Sequence, residues 1–349
     1  MKATDDPLTS RGPLLSRDRK AEHIRLALDR DSQLGGSYFE EYTLEHVALP
    51  EFDLAEVDTT VEFLGKKLRA PLLVSCMTGG TEAATRINRN LAIGAERCGV
   101  ALGVGSQRKA LEDPAQAASF QVRPLAPTIP LLANLGAVQL NYGYGVRECR
   151  AAVDMIQADA LVLHLNALQE AIQPEGQANF GRLLPKIGEV ARGLGVPVVA
   201  KEIGCGLSFE VGRKLLSVGV HILDTAGVGG TSWARIEGRR AAEADLGEIF
   251  ADWGIPTPES IRQLRRLNGV TIIGSGGIRS GLDAAKAIAL GADLVGVAQP
   301  FLEAAVESAD AVVRRIERIV RELRIAMFCA GARSVAELKE KPISRRSRG

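Results

Sequence analysis

Between Pro71 and Pro300 the chain alternates between two periodicities. Short runs of β-branched and aliphatic residues recur at 72–76, 100–104, 131–135, 161–165, 198–202, 220–225, 271–275 and 294–298. Between them lie stretches with apolar residues at helical spacing, among them CRAAVDMIQAD, GRLLPKIGEVARGL, FEVGRKLLSVG, PESIRQLRRLNG and GLDAAKAIALGA. Strand and helix in alternation predict parallel βαβ units, each helix packing one face on the sheet. Eight such units favour an α/β (β/α)8 TIM barrel over an open doubly wound sheet.

The barrel accounts for residues 71–338, within one domain spanning 1–349. Residues 1–70 form an N-terminal extension with a basic amphipathic opening, RDRKAEHIRLAL, and a segment of alternating character, VDTTVEFLGKKL. These are expected to cap the bottom of the barrel or fold over its mouth. The tail, 339–349, is rich in Lys, Arg and Ser and is expected to fray. Hydrophobic residues at 46% are enough for a large core, while 43 basic against 42 acidic side chains leave no global field for nucleic acid or an anionic membrane. Any anion must therefore be gripped locally. Five scattered cysteines without a CxxC pair read as free thiols of a reducing cytosol. With neither an apolar signal segment nor a run of about 20 apolar residues, a cytoplasmic location is expected.

TIM barrels carry their sites at the C-terminal strand ends, with phosphate commonly on the loops after the seventh and eighth strands. Here the seventh run leads into GSGGIR at 274–279 and the eighth into Ala298 and Gln299. Glycines let backbone N–H groups approach phosphate oxygens, a helix opening near Ser280 adds its positive end, and Arg279 adds a charged donor. A second cluster, GVGGTS at 227–232, follows the sixth run and offers Thr231. Either cluster alone also reads as a tight strand-to-helix turn; their joint placement favours an anion cradle. Neither opens the first βαβ unit with an acidic residue about 20 positions on, which disfavours a dinucleotide fingerprint.

The run HLNALQE at 164–170 puts His164 and Asn166 on one side of an extended segment and places Gln169 and Glu170 in a loop at the rim. An amide there orients a substrate, and a carboxylate holds a hard cation such as Mg²⁺. The plainer alternatives are a solvated glutamate and a satisfied core histidine. Lys201 ends the fifth run, pointing towards the mouth. A buried ammonium is costly without an anionic partner, so the edge of a reduced flavin would account for it, with Schiff-base chemistry as the competitor. Arg19, Lys20 and His23 share a helical face, suited to a diphosphate or else an ordinary solvated basic face. MTGGT at 77–81 and GSQR at 105–108 complete the rim, as donors or as simple turns.

With these residues in view, the chain resembles the type 2 isopentenyl diphosphate isomerases, FMN-dependent barrels that interconvert isopentenyl and dimethylallyl diphosphate. The likeness runs from about Arg19 to Leu338 through RKAEHI (19–24), SCMTGGT (75–81), GVGSQR (103–108), ANLGAVQLNYG (133–143), HLNALQEAIQPEG (164–176), KEIGCG (201–206), AGVGGTSWA (226–234), GSGGIR (274–279) and MFCAGARSVAEL (327–338). Glycine motifs are common to many barrels; the HLN, LQE and QPEG combination is the specific part. The resemblance implies FMN contacts from Met77, Thr78, Gly79, Ser106, Asn134, Lys201, Thr231, Gly277, Arg279, Ala298 and Gln299. It implies substrate contacts from Arg19, Lys20, His23, Arg108, His164, Asn166 and Gln169, with Gln169 and His164 the catalytic candidates and Glu170 holding Mg²⁺. It further implies NADPH as the reductant of the flavin and a homo-oligomer, tetramer or octamer. Ala167 stands where the family pattern HLNPLQE has proline, and is expected to loosen the loop carrying Gln169 and Glu170. Thr225 follows Asp224 where a small aliphatic residue is common. FMN-dependent 2-hydroxy acid oxidases resemble one another in a His-Gly-Gly-Arg pattern after the sixth strand; GVGGT at 227–231 lacks both the histidine and the arginine.

Overall fold

In the computed structural model, which describes residues 19–346, all eight predicted runs are strands: β1 Leu72–Val74, β2 Ala101–Gly103, β3 Leu131–Gly136, β4 Ala160–Leu165, β5 Val198–Glu202, β6 Ile222–Asp224, β7 Thr271–Ser275 and β8 Leu294–Val297. Each pairs in parallel with its neighbour, and β8 pairs back to β1, closing the barrel. The five quoted helical stretches form Val146–Ile156, Leu183–Gly193, Phe209–Ser217, Thr257–Leu264 and Gly281–Ala289. Local chemistry sets their ends. The long helix Glu82–Cys98 starts where Thr81 accepts from the Ala84 N–H and stops at Gly99, whose φ of 65° suits a residue without Cβ.

The extension serves both ends of the barrel. Val61–Phe63 and Lys66–Leu68 pair as a hairpin, turned by Leu64 and Gly65 at φ 51° and 72°, the positive-φ pair of a tight hairpin turn. Its buried face inserts Phe63 and Leu68 among Leu73, Ala101, Leu132, Val199 and Ile273 inside the barrel, closing the bottom. Lys66 Nζ ties the hairpin to Asp159, at 2.8 Å. The helix Arg19–Leu28 lies instead across the mouth, held by Arg240 to Glu22 at 3.0 Å and followed by Asp29, which pairs with Arg239 at 3.1 Å. Arg17 and Asp18, the start of the basic opening, lie outside the described residues.

The tail departs from expectation. Ile343–Arg345 pairs antiparallel with Tyr42–Leu44, and Arg345 clamps Glu41. Its composition hides this, because the ladder partner that satisfies its backbone comes from three hundred residues away in the chain. No helix among the described residues is long and apolar enough to cross a membrane.

Because Leu68 is fully buried in the barrel plug, Leu68→Ala is expected to cost about 2–5 kcal/mol of stability. Urea unfolding should show a lower midpoint at an unchanged slope.

Candidate active site at the C-terminal mouth of the barrel

One cavity at the C-terminal strand ends collects every catalytic, binding and metal candidate named in the sequence, from Arg19, Lys20 and His23 above to Lys201 below. Backbone forms one wall. After β7, Gly276 and Gly277 take φ of 104° and 75°. A Cβ on Gly277 would sit 2.5 Å from Gly229 O, and one on Gly230 would sit 2.8 Å from Gly277 N, so the loops after β6 and β7 touch main chain to main chain. Helix Gly281–Ala289 starts beside them, with Ser280 and Asp283 forming a reciprocal cap. Above the cradle, Leu34 N–H donates to Gly230 O at 2.9 Å and Arg279 Nη2 donates to Leu34 O at 3.1 Å. Thr231 Oγ1 donates to Gln33 Oε1 at 3.1 Å. The rest of the rim carries Ala298 and Gln299 after β8, Met77, Thr78 and Gly79 after β1, and Ser106 after β2.

Register builds the floor. His164 on β4 pairs with Lys201 on β5, and Lys201 with Asp224 on β6, so three polar side chains stand side by side at one level. His164 Nδ1 lies 2.9 Å from Asn134 Oδ1; a carbonyl oxygen accepts, so Nδ1 carries the proton. Burial, reinforced by the charge of Lys201, pushes the His164 pKa down to about 3, leaving a neutral ring. Lys201 Nζ donates to Glu202 O at 2.6 Å. The Glu202 carboxylate accepts the N–H groups of Ile203, Gly204 and Cys205, locking the turn beyond. Burial pushes the Cys76 thiol up to about 11, so it is protonated and inert as a nucleophile. Ser75 Oγ is buried with no protein partner.

Across the cavity, Gln169 and Glu170 sit on a helix, Ala167–Ile172, not in a loop, and Ala167 opens that helix rather than loosening a loop. The helical spacing lets Asn166 Nδ2 reach Gln169 Oε1 at 3.1 Å and Glu170 Oε1 at 2.8 Å, geometry that strand-period reasoning cannot supply. Glu170 Oε2 accepts from Gln173 Nε2 at 2.5 Å and Gln177 N–H at 2.6 Å. Overhead, Lys20 Nζ donates to Ser106 O at 3.0 Å, Arg19 lies 3.5 Å from Glu175, and Arg108 Nη1 donates to Gln177 Oε1 at 3.0 Å.

Glu237 joins these parts, and sequence reasoning missed it. Fully buried on helix Trp233–Arg240, its Oε1 accepts from Gln169 Nε2 at 2.7 Å and its Oε2 from Arg240 at 2.5 Å. His23 Nε2 lies 2.9 Å from Oε1, with its ring edge-on to Trp233. Burial raises the Glu237 carboxyl, but His23, Gln169 and Arg240 outweigh it and hold the group below the ordinary value. In the sequence, WARIEGRR looks like a surface helix with an ordinary Glu–Arg pair; only its place directly after the glycine cluster hinted otherwise.

The donor set suits FMN. The main-chain cradle matches a phosphate, while Lys201 and Ser75 Oγ below need polar partners that a flavin ring edge offers. It also admits a hard cation. Asn166 Oδ1 is buried without a partner beside the Glu170 carboxylate, two oxygen ligands of the kind Mg²⁺ takes alongside water and substrate phosphate. Among the described residues no three His, Cys, Asp or Glu side chains are placed to hold a metal ion together, so no all-protein metal cage is present there.

Comparison with known proteins agrees with this architecture. Residues 189–345 match the FMN-dependent dehydrogenase family. Among solved structures, a mandelate oxidase aligns with a TM-score of 0.66 at 20% identity over 93% of this chain and 95% of its own. A lactate oxidase of Pediococcus acidilactici aligns at 0.63 and 17%, over 88% and 84%. At such identities these share the fold alone. Curated relatives are much nearer. Proteins named isopentenyl-diphosphate delta-isomerase are 53% identical in Synechococcus (94% of this chain, 96% of the relative) and 49% identical in Nostoc (96% and 97%). A third, from Paracoccus zeaxanthinifaciens, is 52% identical over 92% and 95%. With half of its residues shared along nearly its entire length, the chain belongs to the isopentenyl-diphosphate delta-isomerase family, in its FMN-dependent type 2 form.

Proposed function

We propose that this protein interconverts isopentenyl and dimethylallyl diphosphate by a 1,3-allylic proton shift on reduced FMN, within isoprenoid biosynthesis, using NADPH to reduce the flavin and Mg²⁺ to assist diphosphate binding. The observation that carries the reading is a single cavity with two anion grips on different elements. The glycine cradle with Lys201 suits the flavin nucleotide, and Arg19, Lys20, His23 and Arg108 suit a diphosphate. Two phosphate-bearing molecules in one pocket are what a flavin-assisted reaction of a prenyl diphosphate requires.

An unactivated alkene is a weak base, so protonating it demands stabilisation of the resulting tertiary cation. Reduced FMN, when bound, supplies an electron-rich face for that cation and a nitrogen able to exchange protons. The protein does the rest. The basic face fixes the diphosphate and so the position of the double bond. Asn166 and Glu170 are the residues that would hold Mg²⁺, whose charge offsets that of the diphosphate. The helix Arg19–Leu28 across the mouth limits water, which would otherwise capture a cation. Neutral His164, anchored on Asn134, offers hydrogen bonding without a competing positive charge. Gln169 is a poor acid and base on its own, but its Nε2 is held on the Glu237 carboxylate, which makes Glu237 the nearby ionised group able to accept a proton while the amide is held in place.

Purified protein given isopentenyl diphosphate, NADPH and Mg²⁺ should form the dimethylallyl isomer, with activity only when the flavin is reduced; full turnover by flavin-free protein would refute the mechanism. Lys201→Ala should weaken FMN binding at least about tenfold, a loss of about 1.4 kcal/mol, in a fluorescence titration. Gln169→Ala should lower kcat by roughly 10²-fold or more while KM stays within about threefold; unchanged turnover removes Gln169 from the chemistry. Between its ordinary pKa of 6.5 and its folded value of about 3, His164 takes up a proton only when the chain unfolds. Its contribution to stability therefore falls as pH drops through that window. Ring NMR signals of His164 should not titrate between about pH 5 and 8.

A further inference from the structure

Asp224 has no role in the mechanism above, yet it shares the barrel floor with Lys201. The two are ladder partners on β5 and β6, so their side chains project to the same face. Both are buried, at 1% and 8% exposure. Asp224 is absent from the cavity lining and so touches a ligand there only through a neighbour. Its carboxylate accepts a hydrogen bond from Ser275 Oγ; burial holds the group above the ordinary carboxylate value, while the charge of Lys201 and the Ser275 hydrogen bond oppose that rise and favour the charged form.

Of the other groups near Lys201, Glu202 also feels its charge, but its carboxylate is turned onto its own loop. His164 is neutral and the Cys76 thiol protonated. The Glu202 carboxylate is engaged by three N–H groups of its own turn. The hydrogen bond from Lys201 Nζ goes to a neutral backbone carbonyl. A desolvated ammonium with such neighbours is costly, and the carboxylate at the paired position on β6 lowers that cost.

We propose that Asp224 is a positioning residue that supplies the counter-charge of Lys201 while the flavin ring is neutral, and thereby sets how much more tightly the site holds reduced than oxidised FMN. The proposal rests on reading Lys201 as a flavin contact. Reduction of the neutral ring by two electrons and one proton leaves it with one negative charge. An ammonium already balanced by Asp224 gains less from that charge than an unbalanced one, and it tolerates the neutral ring better. Asp224 therefore moderates the preference for reduced flavin.

The test titrates flavin-free protein anaerobically with oxidised FMN and with dithionite-reduced FMN, and measures the midpoint potential of the bound flavin against a reference dye. Asp224→Asn should weaken oxidised FMN about tenfold relative to reduced FMN, raising the bound potential by about 30 mV for a two-electron couple. In a Lys201→Met background the same substitution should leave the ratio unchanged, because Asp224 acts through the ammonium. Equal weakening of both redox forms, a fall in potential, or an effect that survives Lys201→Met would overturn the proposal. Should Asp224→Asn fail to fold, Ser275→Ala removes the hydrogen bond that favours the charged carboxylate; a rise in potential supports the proposal and an unmoved or lowered potential overturns it. Wild-type protein that binds neither form of FMN would sink the flavin reading itself, a result distinct from FMN bound at a potential indifferent to Asp224.

Discussion

Main chain meets main chain where the loop after β6 crosses the loop after β7, and that contact governs the geometry above and below it. With Gly229 and Gly230 against Gly277, there is no room for a Cβ on either side. The peptide groups of two loops therefore border the same space, next to a capped helix start. The segment at Gln33 and Leu34 is bonded onto this crossing through Gly230, Thr231 and Arg279, which in turn sets where the helix Arg19–Leu28 lies over the mouth. Pushing the loops apart with a side chain would disturb the nucleotide cradle and the diphosphate face together.

Charge is distributed on two levels. On the floor, one ammonium and one buried carboxylate stand in register beside a neutral imidazole and a protonated thiol. At the rim, Glu237 and Arg240 sit at the centre of a network that draws in Glu22, Glu175, His23 and Gln169. A chain with a net charge of +1 thus sets strong local fields within this cavity, where low dielectric makes each more effective than at a solvated surface. Balanced networks of this kind also explain how so many charged side chains are buried without unfolding the mouth.

Glu237 and Asp224 illustrate why part of the site was illegible in the sequence. Glu237 lies 68 residues from Gln169, and Asp224 lies 51 from Ser275; no local pattern links either pair. Gln169 and Glu170 are legible as rim residues but their helix is not, because six residues are too few for periodicity to announce. The strand Ile343–Arg345 has the composition of a fraying tail, and its partner, Tyr42–Leu44, stands at the other end of the chain.

By itself the amino-acid sequence determined the alternation of strand and helix, the count of eight, the glycine clusters at the strand ends and the set of side chains around the mouth. Each of these is local: hydrophobic spacing selects the element, and a missing Cβ selects the turn. Tertiary structure alone decided which part of the extension plugs the bottom and which covers the mouth, that Glu237 underlies Gln169, and that Asp224 stands beside Lys201. Those outcomes depend on barrel closure and strand register, which bring together residues far apart in the chain, and the free energy that selects them arises only once the whole barrel is packed.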